Sequence, residues 1–164
     1  MEKKIKERFL EEIPFLHRSF LIIFVLLGIF CLWSIIQQPS ISLAVLLLII
    51  VSIPLLFGKM VIAVNNELTV TYGYAKLIKK RIVLSDIKSA EVVTYRPIRN
   101  FGGWGIRCGR FRGERTGCLS LKGNRGVLLT IEKGTRFCFL KTNKLIIGSQ
   151  RPEGLLEAIG KGAV

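Results

Sequence analysis

The chain has 164 residues, 25 of them Lys or Arg against 11 Asp or Glu, and carries a formal charge of +14, a balance that attracts polyanions such as nucleic acid or an anionic surface. A single histidine, His17, and dispersed carboxylates leave no pattern for a Ser-His-Asp or Cys-His site, and Cys31, Cys108, Cys118 and Cys138 lack the C-x-x-C spacing of a metal cage. Neither an enzyme, a cofactor nor a metal is expected.

Residues 1–19 read as a leader. Ile5, Phe9, Leu10 and Ile13 fall on one helical face, with Lys4, Glu7, Arg8 and Glu11 away from it, and Pro14 closes the pattern. An amphipathic helix and a frayed, orienting segment both fit.

Residues 20–58 hold two apolar runs, Phe20 to Ile36 and Ile41 to Phe57, joined by Gln37-Gln38-Pro39-Ser40 and free of charge before Lys59. Neither run keeps a polar face, so each must bury its whole circumference. The expectation is a two-helix transmembrane hairpin, although 17 residues per run is at the short end for a hydrocarbon core of about 30 Å. Cations precede the runs (Lys3, Lys4, Lys6, Arg8, Arg18) and follow them (Lys59, Lys76, Lys79, Lys80, Arg81), with none between. That distribution predicts a multi-pass protein of the cell (inner) membrane with both termini cytoplasmic.

Residues 59–164 form the remaining domain, with a charge of +13. The period changes to alternation, predicting strands at 60–64, 67–73, 76–84, 90–96, 117–122, 126–132, 135–140 and 144–148, punctuated by Asn and Gly turns. Residues 153–159 read as a helix with Leu155, Leu156 and Ile159 on its apolar face, stopped by Gly160 and Gly162. About seven strands and one C-terminal helix describe a bent sheet or partial barrel.

Four stretches, Tyr95-Arg96-Pro97, Gly102-Gly103-Trp104-Gly105-Ile106-Arg107, Gly123-Asn124-Arg125-Gly126-Val127 and Ile147-Gly148-Ser149-Gln150-Arg151-Pro152, resemble signatures of bacterial membrane-anchored pleckstrin-homology-like (PH-like) domain proteins. The resemblance implies a PH-like fold over residues 60–159 and carries over no functional residues. The segment Arg107 to Gly117 departs from that pattern as an Arg- and Gly-rich loop.

Gly103-Trp104-Gly105-Ile106-Arg107-Cys108-Gly109 comes near a dinucleotide fingerprint but has Cys108 for its third glycine and no helix after it, so a sharp turn is the better reading. The cations form two groups. Lys79, Lys80 and Arg81 lie beside Lys76, whereas Arg107, Arg110, Arg112 and Arg115 lie beside Arg96 and Arg99. By analogy with loops at the mouth of a PH-like barrel these seven are the candidate lipid or anion ligands, against the alternative of diffuse positive charge. Interleaved rings (Tyr72, Tyr74, Phe101, Trp104, Phe111) would suit base stacking, but core packing or insertion at a lipid interface accounts for them more simply, so nucleic acid is not the expected partner. The function expected is a non-enzymatic, membrane-anchored binding module contacting anionic lipid headgroups. The alternative is a scaffold or regulatory subunit that docks a membrane protein partner.

Overall fold

The computed structural model describes residues 8–14, 18–137 and 140–160. His17, Cys138, Lys3, Lys4, Lys6 and Gly162 lie outside the described residues. The chain opens with strand β1 (Phe9–Pro14), helices α1 (Arg18–Gln37) and α2 (Ile41–Phe57), and strands β2 (Lys59–Val64), β3 (Glu67–Tyr72) and β4 (Ile78–Val83). A 3-10 turn at Leu84–Asp86 leads to β5 (Ile87–Thr94), α3 (Pro97–Phe101), β6 (Gly105–Phe111), β7 (Glu114–Ser120), β8 (Arg125–Phe137), β9 (Leu140–Gly148) and α4 (Pro152–Ile159).

Two sheets result. The first is an antiparallel meander in the order β1-β2-β3-β4, and the second has the order β5-β8-β9-β7-β6. Every pair in the second sheet is antiparallel except β7 with β9, which is parallel. Strict alternation drives the first sheet: Met60, Ile62 and Val64 of β2 and Leu68, Val70 and Tyr72 of β3 all point inward and are buried. Their partners across one shared core are Ile87 and Ala90 of β5, Leu119 of β7, Val127, Leu129 and Ile131 of β8, and Leu145 and Ile147 of β9. Helix α4 adds Leu155 and Ile159 to that core and touches strands of both sheets. A second apolar cluster, Val93, Tyr95, Phe101, Phe111, Cys118, Leu128 and Ile146, covers the outer side of the second sheet beneath α3. With both faces covered, β8 and β9 carry unbroken apolar runs at 127–129 and 145–147 in place of alternation.

The expected architecture, leader and PH-like domain alike, is corrected at three points. The leader is a strand, because Phe9, Glu11 and Ile13 share the inner side of β1 and pair in register with Val64, Ile62 and Met60. The burial of a carboxylate at Glu11 hides this period of two from a hydropathy reading. Arg107 to Gly117 is a regular hairpin where a loop was expected. Among the described residues, nine strands in two sheets, with a parallel pair between β7 and β9, replace the single bent sheet of about seven.

The membrane expectation is corrected as well. Both apolar runs are helical and pack on each other, with Cys31 and Ile50 buried at the contact and Gly28 3.9 Å from Leu47. Among the described residues, however, no helix is long and apolar enough to cross a membrane. The 17 residues of α2 rise about 26 Å against a core of about 30 Å, and α1 uses its ends on Arg18, Ser19 and Gln37. The transmembrane hairpin, the multi-pass inner-membrane location with cytoplasmic termini, and the two-span partnership with a membrane are therefore withdrawn. The helix pair is instead an insertion between register partners: Pro14 closes β1 opposite Lys59 of β2.

The C-terminal end of α2 is held to the first sheet through the β3–β4 turn. Tyr74 and Ala75 donate their N–H groups to Leu55 O at 2.9 and 3.4 Å, giving the α2 terminus a partner for a carbonyl left without an intrahelical donor. Gly73 makes this approach possible. Its φ is +76°, and a Cβ there would stand 2.3 Å from Leu55 O.

Candidate anion site

The candidate cations are distributed by strand geometry. On β4, Lys79 and Arg81 stand opposite Thr71 and Thr69 and are exposed, while Lys80, opposite Val70, points to the inner side between Ile78 and Ile82. Burial lowers the pKa of Lys80. The three consecutive cations thus divide between two faces and form no single cluster.

The hairpin β6–β7 brings the arginines together. Its turn is Arg112-Gly113, with φ values of +52° and +83°, the two successive left-handed residues of a two-residue hairpin connection whose twist matches its strands. Register follows from that turn: Phe111 faces Glu114, Arg110 faces Arg115, Gly109 faces Thr116 and Cys108 faces Gly117. Arg112 ion-pairs with Glu91 at 2.6 Å and lies over the Phe111 ring. Arg107 donates from Nε to Trp104 O at 3.3 Å. Arg110 and Arg115 are exposed, directly opposite each other, and no ion pair among the described residues includes either.

The backbones under these two residues are fixed. Asn100 of α3 donates from Nδ2 to Arg110 O at 3.4 Å while its Oδ1 accepts from the Arg96 N–H at 2.8 Å. On the other side Thr142 Oγ1 donates to Arg115 O at 2.8 Å. Gly109 admits α3 to this position, since a Cβ there would lie 2.0 Å from Asn100 O. Arg110 and Arg115 both line a recess of about 310 Å³, together with Cys108, Thr116 and Thr142.

A second opening, of about 520 Å³, lies where the end of α2 meets the start of β4 and of β6. Ile53, Phe57, Ile78, Trp104, Ile106 and Leu121 line it, with Arg107 at its border. Trp104 is anchored by donation from Nε1 to Gly123 O at 3.0 Å, and Gly102, Gly103 and Gly105 all have positive φ around it. The expected sharp turn is therefore present. Structure places Lys79, Lys80 and Arg81 on β4, Arg107 at the apolar groove, Arg112 in an ion pair, and only Arg110 with Arg115 in a shared recess.

The buried thiol is poorly suited to nucleophilic chemistry. Cys118 is fully buried, and desolvation pushes its pKa up to about 12, against partial opposition from the neighbouring hydroxyls of Ser120 and Tyr95. Among the described residues Cys31, Cys108 and Cys118 take part in no disulfide, and the last two lie on opposite sides of their hairpin because their positions differ by one in register.

The signal missed in the sequence is Phe111-Arg112-Gly113-Glu114. Read as a turn flanked by strands, it sets Arg110 against Arg115. Comparison of the chain with family models, curated proteins and solved structures finds no match, so the PH-like resemblance has no support from a family and the basic surface stands on its own geometry.

Proposed function

We propose that the protein is a non-enzymatic binding module whose basic surface takes phosphate-bearing anions, the chemistry shared by phosphorylated headgroups and soluble phosphoesters. The observation that supports this reading is the hairpin β6–β7, which presents Arg107, Arg110, Arg112 and Arg115 with an acidic partner only for Arg112 among the described residues. Charge held in excess on a rigid element attracts polyanions and loses that attraction as salt screens it. Full-length protein in neutral detergent should bind polyphosphate with an affinity that falls steeply between low and high salt, as followed by fluorescence anisotropy. Affinity independent of salt, or no binding, would sink the proposal.

A second reading, a scaffold docking a protein partner, draws on a different observation. Ile22, Val25, Leu26, Ile29, Phe30 and Trp33 of α1 and Ile41, Leu48 and Val51 of α2 are each at least half exposed. A continuous apolar surface of this kind marks an interaction face. A stoichiometric protein that remains bound through detergent purification, and is lost when Phe30 and Trp33 are changed to Ser, would favour it over the first reading.

A further inference from the structure

We infer that Arg110 and Arg115 form a bidentate site for a phosphomonoester dianion, a specific locus within the anion-binding function proposed above, on which this inference rests. Three independent features converge there. The first is register. In a hairpin closed by a two-residue turn, Phe111 and Glu114 form the hydrogen-bonded flanking pair, so the next pair, Arg110 with Arg115, is of the non-hydrogen-bonded kind. Cα atoms in such a pair approach to about 4.5 Å and the side chains project from the same face. Like charges directly opposite in this geometry repel, and here no carboxylate among the described residues relieves them. A dianion between two guanidinium groups converts that repulsion into two charge-assisted pairs, each able to donate two parallel N–H bonds.

The second feature is preorganisation. In the non-hydrogen-bonded pair the carbonyls of Arg110 and Arg115 point away from each other, and both are taken up: Arg110 O by Asn100 Nδ2 and Arg115 O by Thr142 Oγ1. The backbone below each arginine is thus fixed from outside the hairpin, by α3 on one side and β9 on the other. The third is space. The recess of about 310 Å³ that both arginines line holds no acidic lining residue and exceeds the volume of a phosphate group. Glu114, the nearest carboxylate in sequence, is held away by Lys144 Nζ at 2.7 Å.

Arginine geometry separates this site from diffuse positive charge. Replacing both residues by lysine keeps the net charge but removes the planar fork. Full-length protein in neutral detergent is titrated with glycerol 3-phosphate, and separately with neutral-lipid vesicles doped with phosphatidic acid, with polyphosphate as the reference polyanion. The expected result is that the double variant Arg110→Lys, Arg115→Lys loses at least tenfold in affinity for one or both phosphomonoesters, while Lys79→Gln, Arg81→Gln, on the other sheet, loses less than threefold. Binding of glycerol 3-phosphate assigns the ligand to soluble phosphoesters, and binding of phosphatidic acid vesicles alone assigns it to a lipid-borne phosphate; both support the site. Equal affinity of the wild type and the lysine variant, with circular dichroism showing both folded, overturns it. The single variant Arg110→Gln serves the same comparison if the double variant does not fold. Salt-sensitive polyphosphate binding without any phosphomonoester binding overturns the site and leaves the broader function standing, whereas loss of polyphosphate binding as well removes both.

Discussion

Cys118 sits at 0% exposure beside Ser120, also at 0%, and the buried hydroxyl of Tyr95, which makes no hydrogen bond of good geometry. Burial raises the thiol from 9.0 to about 12 and raises Tyr95 and Tyr72 as well. In the unfolded chain the thiol ionises near pH 9.0, whereas in the folded protein it stays protonated up to about 12. The unfolded state therefore binds fewer protons in that window, and stability, complete below pH 9, falls as pH rises through it. Urea melts at pH 8, 9, 10 and 11 should show this decline, with a shallower slope in Cys118→Ala; an unchanged slope would place the effect in the tyrosines alone. Gly73 makes an equally local demand. Gly73→Ala must resolve a 2.3 Å contact with Leu55 O at a left-handed φ of +76°, which should lower stability by about 1–3 kcal/mol. Amide exchange at Tyr74 and Ala75 should rise most, because their bonds to Leu55 O depend on that approach.

At the scale of elements, strands β2 and β3 were legible because their inward positions alternate without exception. The C-terminal helix was legible from Leu155 and Ile159 and ends at Gly160 with φ +69°. The hairpin β6–β7 was not. Its turn uses Arg112 where Asn or Asp would signal a left-handed first position, and its exposed arginines interrupt the apolar alternation. Strand β1 was misread because Phe9, Leu10 and Ile13 also satisfy a helical stripe, and Glu11 supplies polarity at a buried position. That carboxylate is a latch: it accepts from Ser149 Oγ at 2.5 Å and from the Gln150 N–H at 2.9 Å, while Arg151 donates to Leu10 O at 2.8 Å. Glu11→Ala leaves both donors without their acceptor and should cost about 2–3 kcal/mol, with faster amide exchange along β1 and the facing β2 as the readout. The opposite sign is expected at the basic pair. Arg115→Thr removes a like-charge contact with Arg110 and should stabilise by about 0.2–1 kcal/mol in phosphate-free, low-salt buffer, a gain that a thermal melt in high phosphate should erase.

For the whole molecule, the partition into two sheets was hidden because it depends on which distant segments pair, and pairing leaves little trace in local periodicity. Nothing near Thr116 announces that β7 runs parallel to β9 from Lys144 onward. Helix α4 integrates the result, since Leu155 and Ile159 are buried against strands of both sheets. Leu155→Ala should therefore destabilise by about 2–5 kcal/mol and do so cooperatively, with fluorescence and circular dichroism melting together; separate transitions would mean that the sheets fold independently. The insertion of α1 and α2 between Pro14 and Lys59 has a further consequence for chain architecture. Because the entry and exit of the excursion are cross-strand neighbours, everything from 15 to 58 can be regarded as one outsized hairpin loop, and a dipeptide such as Asn-Gly spans the same gap. Such an excision would shorten the chain by about a quarter while conserving every strand register, delivering a miniature that keeps both sheets. It would also make topologically plain that the greasiest quarter of the protein is a detour in the path of the backbone.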